Sequence, residues 1–245
     1  FKLSKIIKFY NFEQMYILYP SIRLYLASKI SGIKNVYSYK FFIKKNLHLA
    51  NTAQKFINKQ LKINSCPTET KFYISKSNIE IGRKIIDKNK KNIVLGVGSS
   101  GPTTKWGEKN YISLIKKLNQ NNDFDFYILC GPKESGISKN IINSINKKNC
   151  FSLSGMSIKE LIPIISNCDL YVGNDSFGHH ITSQCGISSI ILMLDTPRAY
   201  TDYSLNQYRV MPDGIDENDI KHDSRFDSNQ IKVENVYNKI LSLLD

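Results

Sequence analysis

The chain of 245 residues has no long hydrophobic run, few cysteines and histidines, and fewer acids than bases. A membrane-crossing helix needs about 18 or more consecutive apolar residues. The most apolar segments, Ile93–Val97, Phe126–Cys130 and Ser189–Leu194, have only strand length. The five cysteines, Cys66, Cys130, Cys150, Cys168 and Cys185, form no C-x-x-C pair and are odd in number. A disulfide framework is not expected in a chain long enough to bury its own core. Cys130 and Cys168 adjoin apolar runs and read as small core residues, which favours a reducing compartment. The histidines are His48, His179, His180 and His222. Consecutive residues point about 100° apart on a helix, so His179 and His180 are not expected to share a metal ion, and no metal site is predicted. The nucleophile elbow G-x-S-x-G and the P-loop G-K-[ST] are both missing. Asp195, Asp202, Asp213, Asp216 and Asp219 lie in loop-like sequence without pairing periodicity, so no glycosidase carboxylate pair can be argued. The chain opens Phe1-Lys2-Leu3, without an initiator methionine or signal-peptide pattern, and reads as an interior segment of a longer protein.

What is present is an ordinary globular composition, 41% hydrophobic and 22% charged, enough for one large or two modest domains. Lys and Arg number 34 against 21 Asp and Glu, a net charge of +13. That excess could attract anionic ligands, nucleic acid or an anionic membrane surface. Alternatively it is a Lys/Asn/Ile-rich bias that solvates helix faces. The lysines are scattered, with Lys44-Lys45 and the stretch 84–91 the densest patches, which favours the second reading. A clustered basic face interleaved with aromatics is missing, so nucleic acid is not an expected partner.

From residue 91 the pattern alternates. Strands are predicted over Ile93–Val97, Phe126–Cys130, Cys150–Leu153, Leu170–Val172 and Ser188–Leu194. Helices are predicted over Glu108–Asn119, Ser138–Lys147, from Ser157 to about Ser166, and over Ser176–Cys185. Ser157 and Glu160 have capping-box spacing. Strand–helix alternation with short connections implies an α/β fold with a parallel, doubly wound sheet. Before residue 91, Tyr16–Tyr19 and Asn35–Tyr37 read as strands, and Ser21–Lys29, Leu47–Leu61 and Asn78–Lys88 as helices, the later half of another α/β domain. Residues 196–229 read mostly as loop, and Val233–Leu244 as an amphipathic helix. The expected organisation is a partial N-terminal domain over 1–90, a ligand-binding domain over 91–229, and a terminal helix over 230–245.

Three connections carry candidate chemistry, each between a strand and a helix, where an open α/β sheet keeps its ligand. The first is Gly96 through Lys105-Trp106, whose Ser99, Ser100, Thr103 and Thr104 offer hydroxyls and whose Lys105 offers a point charge for phosphate. A plain Gly/Ser turn is the competing reading. The second is Cys130-Gly131-Pro132-Lys133-Glu134, where Glu134 could accept ribose hydroxyls or stabilise a first helical turn. The third is Gly173-Asn174-Asp175-Ser176-Phe177-Gly178-His179-His180, where Asp175 could cap the helix and the N–H groups of Ser176, Phe177 and Gly178 could face a diphosphate.

In this order and spacing the segments resemble glycosyltransferase family 9, the ADP-heptose:lipopolysaccharide heptosyltransferase family. The resemblance runs from about residue 12 to 245 and is strongest over 93–197. It is carried by Gly98 through Lys105-Trp106, the Cys130–Glu134 turn, Leu153-Ser154-Gly155 with Ser157-Ile158-Lys159-Glu160-Leu161, and Cys168 through Ser176. Tyr16 through Arg23 resembles the middle of the family's acceptor domain. The family reads Asp-Ser/Thr-Gly where this chain has Asp175-Ser176-Phe177, with Gly178 one position later.

The resemblance implies a GT-B fold, two Rossmann-like domains with parallel sheets, the N-terminal one incomplete here. It implies inverting, metal-independent transfer, without a cofactor, from a nucleotide-diphosphate sugar to a saccharide or glycolipid acceptor in lipopolysaccharide-type synthesis. Ser99, Ser100, Thr104, Lys105, Glu134, Asp175, Ser176, Phe177 and Gly178 would bind the donor, with Lys105 at phosphate and Glu134 at the nucleoside. His180 would stand in the place of the family histidine. The family's catalytic base would lie in a stretch of about 70–90 residues ahead of Phe1. A cytoplasmic location follows, with peripheral contact at the inner membrane surface. A nucleotide-sugar-binding protein without catalysis would carry the same donor residues.

Overall fold

The computed structural model describes residues 2–39, 48–99, 105–120, 123–146, 148–221 and 224–244. The chain divides into two units, Phe1–Thr68 and Glu69–Asp245. The first unit begins with α1 (Lys2–Phe9), which buries Ser4 and Ile7 and was not expected from the sequence. Then come β1 (Gln14–Ile17), α2 (Ile22–Ile30), β2 (Asn35–Ser38) and α3 (Leu49–Leu61). Ser21 caps α2, its hydroxyl accepting from the Leu24 N–H at 3.2 Å. The two strands pair in parallel from Gln14↔Asn35 to Ile17↔Ser38. Tyr16 and Tyr37 stack across the pair at 5.0 Å.

The second unit runs α4 (Lys76–Arg83), β3 (Lys91–Gly96), α5 (Glu108–Leu118), β4 (Phe124–Leu129), α6 (Ser135–Asn143), β5 (Cys150–Ser152), α7 (Ile158–Ile165), β6 (Leu170–Asn174), α8 (Phe177–Gln184), β7 (Ser188–Leu192), β8 (Gln207–Val210) and α9 (Val233–Leu244). Its sheet has the order β5-β4-β3-β6-β7-β8, all parallel. Period-two alternation divides the strand residues between two cores. Ile93, Leu95, Phe126, Ile128 and Val172 join one, with Trp106 and Leu114. Val94, Tyr127, Leu129 and Tyr171 join the other, with Ile164 and Ile165. Strand order turns back between β3 and β6, so the ends of these neighbours form the sheet's switch point, where ligands bind in such folds.

Three expectations can be set beside the structure. The unit boundary falls at 68/69 rather than 90/91, because α4 packs on α7 of the second unit. Residues 196–229, expected to be mostly loop, are so apart from short turns and β8, which extends the sheet as an edge strand on β7. The terminal helix was expected to pack back on the N-terminal domain. Within the second unit it packs on α5, placing Val236 and Ile240 in that unit's core. Both side chains are fully buried. Ile240→Val should therefore destabilise the second unit by about 0.5–1.5 kcal/mol, read as a lower midpoint in urea unfolding. An unchanged midpoint would remove Ile240 from the core.

Candidate donor site

The site is built on the carboxyl ends of β3, β4 and β6. Trp106 anchors the first segment. Its ring is fully buried, lies edge-on to Tyr111 at 4.9 Å, and donates its indole N–H to the Ile231 carbonyl at 2.8 Å. This fixes Lys105, the preceding residue, at the sheet's edge. Lys105 forms an ion pair with Glu134, the two side chains 31% and 18% exposed. Ser100 and Thr104, with the rest of 100–104, lie outside the described residues.

Glu134 collects donors. Its carboxylate accepts from the Ser99 N–H at 3.2 Å and the Gly131 N–H at 3.3 Å as well as from Lys105. Gly98 makes this possible, because a β-carbon there would stand 2.2 Å from Glu134 Oε2. Burial alone would raise the Glu134 pKa, but Lys105 and the two N–H groups outweigh it and hold the carboxyl below its usual 4.5. A depressed folded value adds stability above the unfolded value, lost as pH falls through the folded one. Glu134→Gln should therefore flatten the decline in melting temperature below pH 4.5. Parallel acid profiles of variant and wild type would contradict this pairing.

The third segment is joined to the first by Asn174, 97% buried at the end of β6. Its Oδ1 accepts from the Trp106 N–H at 3.0 Å, and its side-chain nitrogen donates to the Val97 carbonyl at 3.1 Å. One amide thus holds both ends of the loop after β3 against the start of the Asp175 turn. Asn174 stands within the Gly173–His180 motif, where the sequence alone assigns it no role. A buried Asn between a strand end and a helix cap is the signal that could have found it.

Ser176 is the N-cap of α8. Its hydroxyl accepts from the Gly178 N–H at 3.3 Å and lies 3.3 Å from the Tyr171 phenol oxygen. The expected cap, Asp175, is one residue too early. Its carboxylate turns to the histidines instead, Oδ1 lying 3.1 Å from His179 Nδ1 and 3.9 Å from His180 Nε2. Burial works to raise the Asp175 pKa. His179, His180 and the Thr196 hydroxyl prevail and hold it below the ordinary carboxylate value. The shifted glycine also has a reason: a β-carbon on Gly178 would approach the Tyr171 ring to 2.7 Å. Phe177, at 43% exposure, stands outward at the helix start.

The two histidines differ. His179 is fully buried. His180 has a side chain 40% exposed, and its Nδ1 lies 2.7 Å from the Tyr203 phenol oxygen. Burial, reinforced by the neighbouring His179, pushes the His180 pKa down to about 4. The expectation that consecutive histidines diverge is corrected: their ring centroids are 3.8 Å apart. Together with Asp175 they present atoms within 4.8 Å of one another, spacing that could hold a cation. His179 Nδ1 also accepts from the Ser176 N–H at 3.3 Å, closing the cap of α8.

Lys105, Glu134, Asp175, Ser176 and His180 are therefore all placed at one end of one sheet, two loops of it tied together by Asn174. The family model for glycosyltransferase family 9 (heptosyltransferase) matches residues 24–224. The chain belongs to this family. Lipopolysaccharide heptosyltransferase 1 of Campylobacter coli is 30% identical over 142 residues, which cover 56% of this chain and 41% of the relative. The chain thus matches about two fifths of the length of that curated relative. Among solved structures, E. coli ADP-heptose lps heptosyltransferase II superposes with a TM-score of 0.74 at 16% identity, covering 99% of this chain and 80% of that one. E. coli heptosyltransferase WaaC with ADP gives 0.70 at 14% identity, covering 98% and 75%. The fold is the α/β GT-B class of these glycosyltransferases. Among the described residues no helix is long and apolar enough to cross a membrane.

Proposed function

We propose that the second unit is the nucleotide-sugar donor domain of a heptosyltransferase-type glycosyltransferase that acts in lipopolysaccharide-type synthesis. The observation that carries this reading is the Asn174 bridge, which sets Lys105 beside the N-terminus of α8. A lysine and a helix N-terminus at one sheet edge match the charge and donors of a diphosphate. Lys105 neutralises phosphate, and Glu134, whose carboxylate is already ringed by donors, accepts the hydroxyls of the ribose. Ser176, Phe177 and Gly178 offer the backbone of the helix start, and Ser99, Ser100 and Thr104 complete the donor loop. A relative solved with ADP supports adenosine as the nucleoside.

Transfer breaks the bond between the sugar and the diphosphate. Negative charge grows on the departing oxygen, and fixed donors aimed at it lower the barrier. Lys105, the α8 amides and the half-exposed His180 supply these donors without a metal. The acceptor, a saccharide or glycolipid hydroxyl, needs a general base, a role none of these residues takes. Exposed Ile6, Phe9 and Tyr10 in and beside the lysine-bearing α1 support peripheral contact with an anionic membrane surface.

The full-length protein, incubated with ADP-heptose and a lipopolysaccharide-core acceptor, should release ADP and lengthen the acceptor. ADP-heptose binding without release of ADP would instead indicate a nucleotide-sugar-binding protein.

A further inference from the structure

Tyr203 lies in the segment between β7 and β8, 23 residues after His180. Its ring is stacked on the His180 imidazole, 5.7 Å between centroids and 19° between planes, and its hydroxyl meets His180 Nδ1 at 2.7 Å. The segment is tightly held. Asp202, at φ +58°, accepts from Arg198 Nε at 2.9 Å and forms an ion pair with Arg209 Nε at 3.1 Å. Glu217 pairs with the same two arginines at 3.2 and 2.8 Å. A left-handed aspartate is strained, and the double arginine grip offsets it. Gln207 Oε1 also accepts from the Tyr203 N–H at 3.1 Å. Tyr203 is thus placed by four charged side chains and one amide.

A hydrogen bond between a neutral phenol and a neutral imidazole has one proton to share, and its direction fixes the tautomer of the ring. Both groups are neutral near pH 7. Burial, with Asp175 adding to it against the Gln207 side chain, pushes the Tyr203 phenol up to about 12, and His180 is pushed down to about 4. Two factors choose the direction. The first is acidity: a phenol O–H is a stronger acid than a neutral imidazole N–H and an imidazole nitrogen the better acceptor, so Tyr203 donates to Nδ1 across the 2.7 Å contact. On the ring's far side, Nε2 faces the Asp175 carboxylate at 3.9 Å. That is too long for a hydrogen bond, but a carboxylate favours an N–H over a lone pair at that edge.

We propose that Tyr203 is a positioning residue that donates to His180 Nδ1 and so locks His180 in the Nε2–H tautomer, presenting a neutral hydrogen-bond donor to a phosphate oxygen of the leaving nucleoside diphosphate. The ligand in this statement rests on the donor-site reading above. The tautomer does not. Without Tyr203, the Nδ1–H form becomes accessible, and that form turns a lone pair toward an anion.

The 245-residue chain labelled with 15N-histidine tests this directly. Long-range 1H–15N spectra near pH 7 should give His180, identified by the signals lost in His180→Gln, a protonated, pyrrole-type Nε2 and a pyridine-type Nδ1. In Tyr203→Phe the two shifts should move toward each other as the second tautomer is populated. ADP affinity in the same variant should fall roughly 2- to 10-fold, the scale of one hydrogen bond. A pyrrole-type Nδ1 in the wild-type chain, or a Tyr203→Phe spectrum identical to wild type, overturns the proposal. If the wild-type chain shows the expected tautomer and its loss in Tyr203→Phe but does not bind ADP, the donor-site reading fails while the role of Tyr203 in fixing the ring stands.

Discussion

Asn174→Leu should destabilise the second unit by about 2–6 kcal/mol, at 1–3 kcal/mol for each buried group left without a partner. The groups are the Trp106 N–H and the Val97 carbonyl, which the Asn174 amide now satisfies at 3.0 and 3.1 Å. Leucine matches the volume but can neither donate nor accept, so the loss comes from polar groups rather than a cavity. Asn174→Asp separates the two bonds. It keeps an acceptor for Trp106 but sets a carboxylate oxygen against the Val97 carbonyl, so its loss should shrink at low pH, where the protonated acid can donate. Equilibrium urea unfolding of the three proteins measures both. A loss under about 0.5 kcal/mol for the leucine variant, the scale of an ordinary surface substitution, would show that the two loops are held by something else.

Lys105→Ala should weaken ADP binding by about 1.5–3 kcal/mol, the scale of a charge-assisted hydrogen bond, which is roughly 10- to 150-fold in affinity. Part of that loss could come from Glu134. In the ligand-free protein the two side chains are paired, and alanine would leave a carboxylate unneutralised beside the anion. The double variant Lys105→Ala/Glu134→Gln separates the effects. If Lys105 contacts phosphate, its removal weakens binding in the glutamine background as well, and the double-mutant cycle attributes only the difference to Glu134. If Lys105 removal costs nothing in that background, its role is to screen Glu134.

The legible parts of this fold were those whose physics is local. Strands β3, β4 and β6 are buried on both faces, so their sequences are apolar runs that need no context to recognise. The Ser157–Glu160 capping box follows from spacing alone, and the Ser157 N–H indeed donates to Glu160 Oε2 at 2.7 Å. Strand β8 escaped because an edge strand need not be apolar throughout: Gln-Tyr-Arg-Val buries only its first and last residues. Helix α1 escaped although Leu3, Ile6 and Ile7 have helical spacing, a signal that was available. The N-cap was placed one residue early because Asp and Ser cap about equally well. Its assignment turned on Asp175 being drawn to His179, a contact that spacing alone does not choose.

The site divides in the same way. Lys105, Glu134, Asp175, Ser176 and His180 were legible as strand-to-helix connections carrying phosphate-compatible side chains. Asn174 and Tyr203 were not, because their work is done across 68 and 23 residues of sequence. No periodicity links a residue to a partner that the tertiary fold alone brings near. The pairing of Lys105 with Glu134 was also invisible, since each was assigned to a different part of a ligand.

In the proposed function the carboxyl ends of β3, β4 and β6 form one diphosphate-binding site. Isothermal calorimetry of ADP with the 245-residue chain tests it most directly, with Lys105→Ala and Asn174→Asp measured under the same conditions. Saturable binding at one site, weakened at least tenfold by Lys105→Ala and also weakened by Asn174→Asp in folded protein, is the predicted result. Absence of ADP binding by the folded wild-type chain, or binding that both variants retain undiminished, would contradict it.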